Sequence, residues 1–231
     1  MKKFLMAAAA ATAMTLAMAG SANAVTYILD IGNSSGPENL AGYTGPFGTA
    51  DVVLDTSSKA TITFTSDISG TSGFLYYFGD GGSVGVNSNG AATLGNISGD
   101  STGSPHTPIY TNAGAGTEDG WGSFSNRVTS FDGFQYKSHQ ISFDLTLTSG
   151  SWASAEDVLT ANASGNAIAA HVFVANADGS NHLDPITGTG VTGFATVGAV
   201  PEAATWALMI VGFGFIGFAM RRRPKEEGIY A

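Results

Sequence analysis

In the stretch QISFDLTLTSG, apolar and polar positions alternate without a break. Ile141, Phe143, Leu145 and Leu147 fall on one side, Ser142, Asp144, Thr146 and Thr148 on the other. A period of two puts successive side chains on opposite faces, so this pattern predicts a half-buried strand. KATITFTS repeats it, with Ile62 and Phe64 set between Thr61, Thr63 and Thr65. VTYILDIG, DVVLD, GFLYYFG, AIAAHVFVA and VTGFATVG read as further strands. Between them stand turn signals: Gly79-Asp80-Gly81-Gly82, Asn89-Gly90, Ser149-Gly150 and Asp178-Gly179. Asn-Gly and Asp-Gly supply the positive φ values that tight turns need. The stretch 99–122 is rich in Gly, Ser, Thr and Pro and predicts a long loop. One short helix is predicted over 154–160, with Ser154 as its cap and Asp157 three residues on.

Many short strands, Gly-rich turns and one polar face predict an all-β domain. The expected architecture is a single antiparallel β-sandwich, jelly-roll-like, over residues 25–198.

Two apolar segments flank that domain. Residues 1–24 read as a signal peptide: Lys2 and Lys3, an apolar run from Phe4 to Ala19, and a small-x-small site at Ala22-Asn23-Ala24. Cleavage by signal peptidase is expected after Ala24. The second segment, from Ala203 to Met220, carries no charge and is followed at once by Arg221, Arg222 and Arg223. Eighteen helical residues at about 1.5 Å each span roughly 27 Å, enough to cross a hydrocarbon core of ~30 Å with little to spare. Pro201 suits a helix start, Trp206 an interfacial belt, and the arginines a cytoplasmic end. The expected topology places the domain outside and residues 226–231 in a short cytoplasmic tail.

Charge and chemistry narrow the function. Residues 25–199 hold fifteen Asp and Glu against Lys59, Arg127 and Lys137. So acidic a domain repels nucleic acid, and no nucleic-acid partner is expected. The chain has no cysteine, so no disulfide holds it. No nucleophile motif of the G-x-S-x-G type occurs. His106, His139, His171 and His182 lack the spacing of a metal motif. In AIAAHVFVA, His171 falls opposite Ile168, Ala170, Val172 and Val174, which predicts a place on an outer sheet face. No catalytic residue and no cofactor are predicted. A structural Ca²⁺ is one reading of NADGSNHLD, where Asp178, Ser180, Asn181 and Asp184 offer oxygen around a Gly turn; plain turn chemistry is the other. Tyr76, Tyr77, Trp121, Phe124, Phe131, Phe134, Tyr136 and Trp152 are either core or a sugar-stacking surface. Trp121 and Trp152, in Gly/Ser-rich surroundings, are the candidates for stacking.

The last motif is the most specific. Pro201-Glu202 is followed by Trp206-Ala207, by Gly212-Phe213-Gly214, and by Arg221–Arg223. These four features, in this order over 199–225, resemble the PEP-CTERM sorting signal of exported proteins, in its PEPxxWA variety; Ala203 stands where that pattern has its second proline. The resemblance implies recognition and removal of the tail by an exosortase near Pro201-Glu202. It also implies transient residence in the inner membrane, and then release or attachment at the cell surface. Such proteins are associated with exopolysaccharide, biofilm or floc matrix. The leading expectation is a non-enzymatic surface or matrix protein. A carbohydrate-binding module of the exopolysaccharide and a matrix polysaccharide hydrolase are the alternatives.

Overall fold

The structure is a computed structural model that describes residues 23–130, 133–198 and 213. Thirteen strands follow one another: β1 (Ala24–Gly32), β2 (Gly48–Thr56), β3 (Lys59–Ser66), β4 (Leu75–Phe78), β5 (Val84–Val86), β6 (Ala92–Asp100), β7 (Thr111–Asn112), β8 (Gly116–Glu118), β9 (Gly122–Phe124), β10 (Asn126–Thr129), β11 (Gln140–Leu147), β12 (Ile168–Ala175) and β13 (Thr192–Val197). Every strand pair is antiparallel.

Eleven of the strands form one sheet, in the order β6-β11-β3-β2-β1-β13-β12-β5-β10-β7, with β4 paired to β12. Strands β8 and β9 make a separate hairpin. The two-sheet sandwich expected from the sequence is therefore replaced by a single sheet that curls until its ends, β6 and β7, lie in contact. Near-closure removes most of the unpaired edge that an open sheet presents.

The alternation read from the sequence builds the interior. Register sets Ile141 beside Phe64, Phe143 beside Ile62, and Leu145 beside Ala60, and all six are buried. Phe64 and Phe143 stack at 6.2 Å, and Phe47 meets Tyr76 edge-on at 4.9 Å. The opposite face of the same strands is polar. There Asp144 accepts hydrogen bonds from Asn96 (2.6 Å) and Thr61 (3.1 Å) and pairs with Lys59 at 2.9 Å. Burial alone would raise the Asp144 carboxyl. The bonds from Asn96, Lys59 and Thr61 outweigh it and hold the group below its ordinary range.

Strand β6 escaped the sequence reading because a bulge breaks its period. Ser142 pairs with Ser98 and Asp144 with Gly95, so Asn96 and Ile97 are squeezed into the gap. Asn96 takes φ 48° there, a left-handed conformation that Asn tolerates better than most residues. The seam beyond it is closed by an aromatic ring. Tyr110, just before β7, packs against Gly99 of β6, where an added Cβ would meet the ring at 2.2 Å. The Tyr110 hydroxyl reaches Ser138 Oγ at 2.9 Å.

Other expectations need correction. The stretch 99–122 is not one loop, because β7 and β8 lie within it. The helix at 154–160 is a single 3-10 turn at Glu156–Val158, and Ser154 makes no side-chain cap. Strand β12 is buried along its whole length on both faces. Its second face carries Phe173 and Ala175, covered by Tyr77, Leu75, Ile68 and Phe134. His171 is thus an interior residue, 3% exposed, rather than part of an open outer face.

Among the described residues no helix is long and apolar enough to cross a membrane. The predicted span 203–220 lies, apart from Phe213, outside them. Ala24 is the first residue of β1, opposite Val53; Ala22 lies outside the described residues.

Candidate functional site

Two loops meet over the start of β13. The first, 33–47, leaves β1. Asn33, 2% exposed, staples it: the side-chain oxygen accepts from Phe194 N (2.9 Å) while Nδ2 donates to the Glu38 carbonyl (2.7 Å). The loop rests on Gly193, where a Cβ would come within 2.8 Å of both Asn33 Oδ1 and the Asn39 backbone. The second loop, 176–191, leaves β12. Its two turns are each held by an aspartate. Asp178 Oδ1 accepts from Ser180 N (2.9 Å) and Ser180 Oγ (2.6 Å). Asp184 Oδ1 accepts from Ile186 N (2.8 Å), Thr187 N (2.7 Å) and Thr187 Oγ1 (3.1 Å). These bonds hold both carboxyls below the ordinary range.

Between the loops opens a cleft of about 210 Å³. Asn39 and Tyr43 line it from one side, Asp184, Thr187 and Thr189 from the other, and Thr192 reaches it from β13. The Tyr43 ring is wedged edge-on against Phe74 (5.2 Å) and His182 (5.8 Å), which fixes its orientation. His182 is held in turn by Asn176 Oδ1 at 2.7 Å.

Behind the cleft stands His171. Its ring stacks on Phe194 at 4.3 Å, and Nε2 lies 2.6 Å from Thr192 Oγ1 and 3.7 Å from Glu38 Oε2. Burial pushes its pKa down to about 4, against smaller opposing effects of the Gly81 backbone and the Asp119 charge. The imidazole is neutral at pH 7. A hydroxyl beside an imidazole is the start of a nucleophile–base relay, but a working relay has the base oriented by a third group on its other nitrogen. Here Glu38 approaches the same Nε2 that Thr192 uses, and Thr192 Oγ1 also bonds the Val172 carbonyl at 3.0 Å. The arrangement suits a neutral histidine tied into the sheet.

The residues singled out in the sequence fall in different places. Trp152 is 4% exposed, with its indole N–H donating to the Asn89 carbonyl at 2.8 Å; it presents no ring face to solvent. Trp121 is half-buried and donates to the Phe194 carbonyl at 3.0 Å. Tyr76, Tyr77 and Phe124 are buried, Phe134 and Tyr136 half-buried, and Phe131 lies outside the described residues. Among Asp178, Ser180, Asn181 and Asp184, only Asp184 reaches the cleft. The first two close one turn and Asp184 another, so the turn chemistry accounts for both aspartates. No group of three or more His, Asp or Glu able to hold a metal ion occurs among the described residues. Sequence reading missed Tyr43 and Thr192. Tyr43 sits in a loop with no alternation around it, and nothing local marks it.

The sorting-motif residues Pro201, Glu202, Trp206, Ala207, Gly212, Gly214, Arg221, Arg222 and Arg223 lie outside the described residues. No curated protein and no solved structure matches the chain. The family model described as the PEP-CTERM protein-sorting motif matches residues 199–223, so the C-terminal part of the chain carries a PEP-CTERM sorting motif.

Proposed function

We propose that the chain is an exported, non-enzymatic protein of the cell surface or extracellular matrix. Its tail holds it briefly in the inner membrane until an exosortase-type enzyme processes it. The observation that carries this reading is the sorting motif over 199–223. The motif implies export, sorting to the surface and an exosortase-type partner. Physical chemistry supports the rest. The uncharged run from Ala203 to Met220 and the arginines after it orient the segment with the domain outside and the C-terminus in the cytoplasm before processing. The Lys2-Lys3 start and the Ala22-Asn23-Ala24 site fit export through signal peptidase. Removing an apolar tail converts an anchored protein into one without a membrane span, as with other processed C-terminal signals. The acidic, cysteine-free domain is suited to staying dispersed outside the cytoplasm.

Fractionation of the source cells with one antibody to the β-domain and one to residues 225–231 tests this. The domain is expected in the surface or medium fraction without the tail epitope. A stable full-length chain confined to the inner membrane contradicts it.

A further inference from the structure

The cleft between loops 33–47 and 176–191 has polar groups left over after the fold's own needs are met. The Tyr43 hydroxyl makes no hydrogen bond among the described residues; burial and the nearby Asp184 charge raise its pKa, so it stays a protonated donor. Asp184 spends one carboxylate oxygen on its own turn, and Oδ2 accepts no hydrogen bond among the described residues. Thr187 Oγ1 donates to Asp184 Oδ1, so Thr189 donates to Thr187 across 2.7 Å, and the Thr189 oxygen keeps a lone pair to accept from a ligand. An aromatic ring, a free carboxylate oxygen, a free phenol and hydroxyls thus share one concavity.

We infer that this cleft binds a neutral sugar ring, with the Asp184 carboxylate accepting from a ring hydroxyl and the Tyr43 hydroxyl donating to a ring oxygen. Three observations select that chemistry. The space of about 210 Å³ exceeds by more than tenfold the roughly 10–15 Å³ that one water needs, so an organic ring enters. The lining mixes donors and acceptors, which matches a ligand that carries a hydroxyl on most of its ring carbons. The charge is wrong for an acidic sugar: Asp184 lies in the cleft, and residues 25–199 hold fifteen acidic side chains against three basic ones. A uronate or sulfated sugar would be repelled. Tyr43 is fixed by Phe74 and His182 before the ligand arrives, so little is lost in ordering it. The inference stands apart from the sorting motif, since it rests on the cleft alone.

The test uses the full-length chain in detergent, titrated with glucose, galactose, mannose and the disaccharides built from them, with glucuronate alongside. Ligand-observed NMR reads binding. Saturable binding of at least one neutral sugar, and none of glucuronate, is expected. Tyr43→Phe keeps the ring packing and removes only the phenol. Asp184→Asn keeps an oxygen for the turn and removes the charge. Asp184→Asn is expected to weaken binding about tenfold, the scale of one charge-assisted hydrogen bond, and Tyr43→Phe by about fivefold, the scale of a neutral one. Trp152→Phe, in the core, is expected to leave affinity unchanged. Circular dichroism confirms that each variant is folded. Three outcomes overturn the assignment: no saturable binding of any neutral sugar, preferential binding of glucuronate, or full affinity in both cleft variants.

Discussion

The Glu118 carboxylate meets the Arg127 guanidinium at 3.1 Å, at a point where Glu118 is 1% exposed. This pair ties the β8–β9 hairpin to β10 of the main sheet. Gly82 and Gly116 make room for it: a Cβ on the first would meet Glu118 Oε1 at 2.3 Å, and on the second Arg127 Nη2 at 2.1 Å. Burial lifts Glu118 from an ordinary 4.5 to about 7, although Arg127 pulls the other way and Asp119 adds to the rise.

A carboxyl raised on folding holds its proton more tightly in the folded state. Its contribution is complete below pH 4.5 and is lost as pH climbs to about 7. Glu118→Gln removes this loss. The variant is expected to gain on the wild type as pH rises from 4.5 to 8, by up to about 3 kcal/mol. Urea denaturation at a series of pH values measures it; a constant difference across that range contradicts the assignment.

His171 acts in the opposite sense. Its pKa is pushed down to about 4 by burial, so the unfolded chain binds the extra proton first. Stability is complete above about pH 6.5 and falls as pH drops toward 4. His171→Gln removes that fall and also removes the stacking on Phe194. The variant is less stable than wild type at pH 7, and the gap narrows toward pH 4. The same urea series reads it, and a gap that widens on acidification would overturn it.

The seam of the curled sheet depends on Gly99. A methyl group there strikes the Tyr110 ring at 2.2 Å. Gly99→Ala is expected to cost about 1–3 kcal/mol, the usual scale of overpacking. Tyr110→Ala in the same chain relieves the clash, so the double variant loses less than the two single losses added. A double-mutant cycle by thermal unfolding checks the coupling.

Trp152 belongs to the core. Trp152→Ala is expected to destabilise the fold by about 3–5 kcal/mol. A loss of under about 1 kcal/mol in chemical denaturation would show that its burial contributes little.

The inner face of this fold was legible wherever a strand kept its period. Ile62, Phe64, Ile141, Phe143 and Leu145 alternate, and their register partners meet in the core. Strand β6 hid because Asn96 and Ile97 break the alternation with a bulge. Strands β5 and β7–β10 are two to four residues long, too short to show a period. His171 was placed on the correct face but read as open, since the residues that cover it come from Phe194 and from loops distant in sequence. The cleft was hidden for the same reason. Asp184 was marked by its turn, but Tyr43 and Thr192 join it only through the loop crossing fixed by Asn33. The tail was the opposite case. Its motif is a local order of residues, and local order is what a sequence displays.

If the tail is an address, the mature protein lacks it. Intact-mass spectrometry of the protein recovered from the surface or medium of its source cells decides this. The predicted result is a chain that ends near Pro201-Glu202 and lacks the apolar segment and Arg221–Arg223. A mature pool whose mass includes residues 203–231 would contradict it.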